Sequence, residues 1–175
     1  DLNNEYDEDY SEFEMFMARK ELKFITRRMN RGRIKSINDG CFVSGAPFGY
    51  RNAVINKKHT LEVYEPEAKY VRMIFDMYVN QSMGITSISR QLANLGVLSK
   101  KNTPLHPTTI ARMLRNHTYI GKIVWNKSKS VKGKNTQEKT SKDDWLYVPG
   151  LHEPIIDEDT FNKAQDIINL KYKPP

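Results

Sequence analysis

Little in this sequence points to a disulfide framework, a metal centre or a membrane span. Cys41 is the single cysteine, so no disulfide can form within the chain, and we expect a reducing compartment. The histidines are scattered, and none stands at metal-ligand spacing from Cys41 or from another histidine. No apolar run approaches the roughly 20 residues of a transmembrane helix, and no signal peptide is visible. These absences predict a cytoplasmic protein that does not enter a membrane.

Recognisable catalytic sets are absent as well. The sequence has no P-loop, no zinc signature and no serine in a G-x-S-x-G setting. The acidic cluster at residues 5–14 lacks the spacing of a calcium-binding loop, and we interpret it as the solvated start of a helix. The sequence therefore favours a binding module, without a cofactor, over an enzyme.

Positive charge is what the chain has in excess. It carries 28 Lys and Arg against 21 Asp and Glu, for a formal net charge of +7. Such a charge is typical of proteins that bind a polyanion, although it can also serve solubility alone. Residues 1–17 contain seven acidic and no basic side chains, whereas residues 18–35 contain eight basic side chains against Glu21 alone. No proline precedes Pro47 and no glycine precedes Gly32, so we predict a long helix from about residue 8 to about residue 37.

Helical spacing sorts the side chains of this first helix into two faces. Met15, Ala18, Leu22, Ile25 and Met29 repeat at steps of three and four and form one apolar stripe. Several cations fall on the opposite face. We predict DNA contacts by the basic residues of this helix, namely Lys20, Lys23, Arg27, Arg28, Arg31, Arg33 and Lys35. A merely solvated basic face is the alternative.

Beyond the first helix, turn formers and periodic segments alternate. Residues 38–50 are rich in glycine, with Pro47, and predict a turn. The remaining pattern predicts strands at 49–54, 60–64, 119–125 and 145–150, and helices at 66–81, from Thr86 to Gly96, from Pro107 to about Asn116, and after Asp157. The last two strands would form a hairpin with a long loop. That loop, residues 126–144, carries six lysines and is interpreted as a mobile polycation or a simply solvated loop.

The two helices within residues 86–116 resemble a helix-turn-helix with an enlarged connection. In the second helix Ile110, Met113 and Leu114 would face inward, leaving threonines and arginines outward. Arginine can bind guanine through two hydrogen bonds, and threonine can contact base edges. The hairpin that follows would lie beside it as a wing, with Lys122 and Lys127 near the backbone. For this part of the chain we predict DNA contacts by Arg51, Lys100, Lys101, Thr108, Thr109, Arg112, Arg115, Asn116 and Lys122.

Five segments, in this order, resemble the large serine recombinases. They are GAPFGYR (45–51), PEAKYVRMIFDMYV (66–79), GITSISRQLANLGV (84–97), TTIARMLRNHTYIGKIVWNK (108–127) and HEPIIDEDTFNKAQDII (152–168). The resemblance covers nearly the whole chain. It implies an α+β, mostly helical fold with small β-hairpins. Residues 1–44 would be a connecting helix and turn, 45–127 a helix-turn-helix-like recombinase domain, and 128–175 the approach to a zinc-ribbon domain.

The same resemblance implies the role of the whole protein. Members of the family pair attachment sites as dimers that join into tetramers, cleave DNA through a phosphoserine link and rejoin it, without metal or nucleotide. No position of this chain matches the catalytic serine, so no catalytic residue is carried over. The chain opens without Met and ends at Pro175, and we expect both ends to be cuts within a longer bacterial or phage protein.

Two other functions are compatible with the residues. A winged-helix transcriptional regulator would share the helix pair and the wing. A protein-interaction module would use the stripe from Met15 to Met29 as its docking surface. The partner expected of a recombinase segment is double-stranded DNA carrying an attachment half-site. A protein-interaction module should not bind DNA at low salt.

Overall fold

The computed structural model describes residues 2–130 and 136–171. Contacts between residues divide the chain into two compact units, residues 1–39 and residues 40–175. The predicted limits at residues 44 and 127 stay predictions. Lys132 and Lys134 of the predicted lysine loop, and the C-terminal residues 172–175, lie outside the described residues.

The first unit is a single helix, α1 (Leu2–Asn38). It begins earlier than the sequence predicted, because acidic residues in the first turns favour the positive end of the helix dipole and no proline or glycine interrupts them. It closes with a bond from the Asp39 N–H to the Lys35 carbonyl, 3.0 Å long. Gly40 follows at a φ of +76°, a left-handed conformation that ends helices.

The second unit opens with a hairpin of β1 (Tyr50–Ile55) and β2 (Lys58–Val63). The strands are antiparallel, with Tyr50 opposite Val63 and Ile55 opposite Lys58. Asn56 and Lys57 both have positive φ, +52° and +62°, as a two-residue turn that matches strand twist requires. The predicted hairpin is confirmed, with each strand shifted slightly.

Four helices, α2 (Glu65–Val79), α3 (Ile85–Asn94), α4 (Pro107–Leu114) and α5 (Glu158–Lys171), contribute to one hydrophobic core. The apolar faces predicted from helical spacing are buried there, including Val71, Ile74, Phe75, Tyr78, Ile88, Leu92, Ile110, Met113, Leu114, Phe161, Ala164 and Ile168. The spacing of Leu95 after Ile88 and Leu92 predicts an inward side chain, but Leu95 is 54% exposed because α3 has ended at Asn94. Thr86 is not the N-cap of α3, since Gly84 holds that position without a side-chain bond.

The C-terminal part contains two small antiparallel sheets. β3 (Lys122–Trp125) pairs with β6 (Leu146–Pro149), as the predicted long hairpin requires. The strand starts later than predicted because residues 117–120 form a short 3-10 turn capped by Asn116. β4 (Ser128–Ser130) pairs with β5 (Gln137–Lys139) inside the segment predicted to be an unstructured loop.

The GAPFGYR segment has a structural role that its aromatic residues explain. The Tyr119 hydroxyl donates to the Phe48 carbonyl at 2.8 Å, and the Tyr50 hydroxyl donates to the Glu153 carbonyl at 2.8 Å. The two tyrosine rings stack, with centroids 6.0 Å apart. Burial raises the pKa of Tyr50, so its phenol stays neutral and remains a donor. These bonds fix the loop that leads into β1 against the core.

The protein is thus mixed α/β, about half helical, with small antiparallel sheets. The mixed fold class predicted from the sequence is confirmed at this level. None of the helices within residues 2–130 and 136–171 has the length and apolar character needed to cross a bilayer. Within those same residues, no group of three histidine, cysteine or acidic side chains comes together as a metal site would require.

Candidate nucleic-acid interface

Helix α4 is held on one face and open on the other. Pro107 occupies its first turn, where the missing N–H costs little, and the His106 imidazole caps it by accepting from the Thr108 N–H at 3.4 Å. Ile110, Met113 and Leu114 are buried at 5% exposure or less. Because these three residues pack into the core, the opposite face of α4 is directed toward the surface.

Two arginines stand on that open side. Arg112 lies in the last turn of α4, and Arg115 is the C-cap residue, one position after the helix ends. Both side chains are exposed, and neither forms an ion pair with a carboxylate of the described residues. Thr108 is exposed and Thr109 partly so. The outward placement predicted for these four side chains is what the structure shows.

A bond from α5 fixes the end of α4. The Gln165 side-chain amide donates to the Leu114 carbonyl at 2.6 Å, a carbonyl that has no partner within its own helix. Gln165 is not among the predicted contact residues. The available signal was a polar residue on the same side of the helix as the apolar Phe161, Ala164 and Ile168.

The connection between α3 and α4 is enlarged but ordered. The Ser99 N–H donates to the Thr103 carbonyl at 2.7 Å, and Leu98 bridges to Pro104, which makes a small turn with Asn102 at a φ of +57°. This turn carries the two predicted contact residues Lys100 and Lys101 on its outer end. Lys101 is exposed.

Lys100 instead folds back on the protein. Its ammonium donates to the carbonyls of Tyr50 and Ala46, the latter at 3.2 Å, and lies 3.9 Å from the Glu67 carboxylate. The same carboxylate accepts from the Gly49 N–H at 2.8 Å. Lys100 therefore ties the connection between α3 and α4 to residues 46–50, and these contacts occupy its donors.

A shallow groove runs beside α4 and collects the basic groups. Its polar and charged lining includes Lys101, His106, Thr109, Arg112, Arg115 and Lys127. Phe48 and Pro47 contribute to its apolar floor. Such a surface offers hydrogen-bond donors and positive charge without a competing carboxylate among its lining residues.

Three further predicted residues already have partners. The Arg51 guanidinium pairs with Glu62 at 2.9 Å and lowers the pKa of that carboxyl. The Lys122 ammonium pairs with Glu158 at 2.5 Å. The Asn116 side chain accepts from the Thr118 N–H at 3.2 Å and caps the 3-10 turn, although Asn116 also lines the groove.

The predicted basic residues of α1 belong to the first unit and are described within it. Lys20, Lys23, Arg27, Arg28, Arg31, Arg33 and Lys35 are all exposed. The Lys20 ammonium lies 4.6 Å from the centroid of the Phe16 ring. Leu22 and Met29 of the apolar stripe are more than 60% exposed, so both faces of this helix are open within its unit.

The Recombinase family model matches residues 65–171, a span that contains α2 through α5. The chain belongs to the Recombinase family. Residues 45–51 of the predicted resemblance lie before this span, and the segments at 66–79, 84–97, 108–127 and 152–168 lie within it. The resemblance to large serine recombinases is confirmed.

Solved structures similar to this chain include one complex with DNA. A crystal structure of a large serine recombinase–DNA complex is 30% identical, with a TM-score of 0.59, and covers 85% of this chain and 39% of that one. A structure from work on the sequence requirements of the Listeria innocua prophage attP site is 30% identical, with a TM-score of 0.57, and covers 81% of this chain and 51% of that one.

A curated Bacillus subtilis (strain 168) protein assigned as a DNA recombinase is 29% identical over 103 residues. That match covers 55% of this chain and 20% of the relative. The chain thus spans about a fifth of this curated relative, and from about two fifths to half of the solved chains.

Proposed function

We propose that this chain is the DNA-binding segment of a site-specific large serine recombinase and recognises attachment-site DNA. The observation that carries the proposal is the open face of α4, where Arg112 and Arg115 project from a helix anchored by buried apolar residues. A helix of this kind fits the major groove, which admits an α-helix and distinguishes all base pairs. The relatives solved with DNA or studied on an attP site support the same role.

The side chains divide by what each can contact. Arg112 and Arg115 carry the donors suited to base edges, with Thr108 and Thr109 beside them. Lys101 and the basic residues of α1 are suited to phosphates, which set affinity and register and do not specify sequence. Lys100, Arg51 and Lys122 have their charges engaged within the protein, so we assign them a smaller share of DNA binding.

The parent protein's chemistry is part of the proposal. A serine nucleophile in another domain would cleave DNA through a phosphoserine link, and dimers bound at two sites would join into a tetramer. Residues 128–175 would lead into a zinc-ribbon domain. Binding by the present chain would need neither metal nor nucleotide.

The test is selection of bound sequences from a randomised duplex, followed by competition with random DNA. We expect Arg112→Ala to lose about 1–3 kcal/mol of preference for the selected site, because a base contact is removed. Arg90→Ala is a matched control, since Arg90 is an exposed arginine of α3 that does not line the groove. EDTA should leave binding unchanged. An unaltered ratio of specific to random binding in Arg112→Ala would refute the assignment of α4, and failure of the chain to bind any duplex would refute the function.

A further inference from the structure

Lys127 and Lys122 lie in different surroundings, although both belong to the C-terminal hairpins. Lys127 lines the groove beside α4, together with Arg112 and Arg115. Lys122, only a few residues earlier, pairs with Glu158 and lines a different depression. The structure therefore separates two lysines that the sequence placed together on the wing.

The backbone at Lys127 is fixed by neighbours from beyond β5. The Lys127 carbonyl accepts from the Thr140 N–H at 3.1 Å, and the Thr140 hydroxyl donates to the Asn126 carbonyl. The Asn126 amide donates to the Asp144 carbonyl at 3.0 Å, and Asn126 itself takes a left-handed φ of +65°. These hydrogen bonds fix the backbone from which the Lys127 side chain extends.

An indole ring holds the side chain in place. The Lys127 ammonium lies 5.2 Å from the centroid of the Trp145 ring, within the range of a cation–π contact. The Trp145 N–H donates to the Thr140 carbonyl at 3.4 Å, so the ring is tied to the same corner. A lysine on such a platform loses less conformational entropy when it binds an anion than a freely rotating lysine does.

The charge of Lys127 has no carboxylate beside it within the described residues. It forms none of the ion pairs found there. Desolvation lowers the pKa of Lys127, and burial, with a smaller contribution from the charge of Lys127, lowers the pKa of His117. An exposed cation without a carboxylate partner among the described residues is a favourable place for an external anion.

We propose that Lys127, positioned by the Trp145 indole, binds a backbone phosphate of the duplex whose major groove receives α4. This deepens the proposed function and rests on it. Lys127 then fixes the register of α4 along the DNA, while Arg112 and Arg115 contact the bases. The contact is independent of sequence, because every nucleotide offers the same phosphate.

The experiment measures binding of the full chain to a random-sequence duplex of about 30 base pairs over a salt titration. We expect Lys127→Gln to reduce the slope of log K against log salt by about 0.9, the value for one lost phosphate contact. Between about 50 and 200 mM salt the affinity of this variant should therefore fall about 3.5-fold less than that of the parent chain.

Three comparisons complete the design. Lys127→Arg should retain the parental slope, because arginine keeps the charge and the ring contact. Lys122→Gln should lose less of the slope than Lys127→Gln does, because the Lys122 ammonium is already paired with Glu158. Trp145→Leu should weaken binding, while Trp145→Phe, which keeps a ring face, should bind more like the parent chain.

The possible failures are distinguishable. If the parent chain binds the random duplex but Lys127→Gln keeps its slope, the Lys127 contact is refuted and the proposed function stands. If Lys122→Gln loses as much slope as Lys127→Gln, the distinction between the two lysines is refuted. If the parent chain binds no duplex, the proposed function itself fails. Unchanged urea unfolding of Lys127→Gln would show that the result does not come from misfolding.

Discussion

Gly49 lies where a side chain has neither a permitted backbone conformation nor space. Its φ of +93° belongs to the left-handed region, which side-chain-bearing residues avoid. A Cβ at this position would lie 2.8 Å from Cγ2 of Val71 and 3.0 Å from Cδ1 of Ile155. Both neighbours are buried, at 0% and 7% exposure, so they cannot turn into solvent to make room.

The loss of stability expected for Gly49→Ala has two causes, the strained backbone and the close contacts of the added Cβ. The strained backbone contributes about 1–3 kcal/mol, and overpacking of the core contributes about 1–3 kcal/mol more. We therefore expect the free energy of unfolding to fall by roughly 2–6 kcal/mol, a large part of the about 5–15 kcal/mol of an ordinary domain.

Urea unfolding followed by circular dichroism measures this loss. Gly45→Ala is the matched control, because a Cβ there meets nothing within 4 Å, and it should change stability by no more than about 0.5 kcal/mol. In a Val71→Ala background the further cost of Gly49→Ala should be smaller than in the parent chain, since the clash with Val71 is relieved while the contact with Ile155 remains. A cost below about 1 kcal/mol for Gly49→Ala in the parent chain would refute the reasoning.

Two further predictions concern the hydrogen bond of Gln165 and the protonation of the buried His152. Gln165→Leu should lower the free energy of unfolding by about 1–3 kcal/mol, because the Leu114 carbonyl loses its donor; urea unfolding measures this, and an equal loss in Asn162→Leu, an exposed position of the same helix, would contradict it. Burial lowers the pKa of His152, so the folded protein resists protonation there. Its contribution to stability is present above the unfolded value of 6.5 and is lost as the pH falls below it. Urea midpoints between about pH 7 and pH 5 should therefore decline less steeply in His152→Gln than in the parent chain.

The sequence predicted the helices well because their apolar spacing and the core agree. Ile110, Met113 and Leu114 repeat at helical intervals, Pro107 marks the start, and the structure buries that face. The outward side of α4 then follows from geometry alone. The outward placement of Arg112 and Arg115 could accordingly be predicted from the sequence.

The roles of individual lysines could not be read in this way. Lys100 bonds to carbonyls about fifty positions away, and Lys122 pairs with Glu158 on a distant helix. Neither contact leaves a periodic pattern, because each depends on how separate elements pack. The same holds for Lys127, because its contact with the Trp145 ring forms only when the segment after β5 packs beside residues 126 and 127. Charge composition indicates a polyanion partner, but tertiary structure decides which charges remain available to it.

The placement of α5 has a consequence for how this protein is made on the ribosome. Phe161, Ala164 and Ile168 fill the same core that anchors α4, and the Phe75 and Phe161 rings lie 6.2 Å apart. Helix α4 is therefore synthesised well before the residues that complete its support. Until Ile168 has left the exit tunnel, the nascent chain carries uncovered apolar side chains, and a premature stop codon before Phe161 would make that exposure permanent.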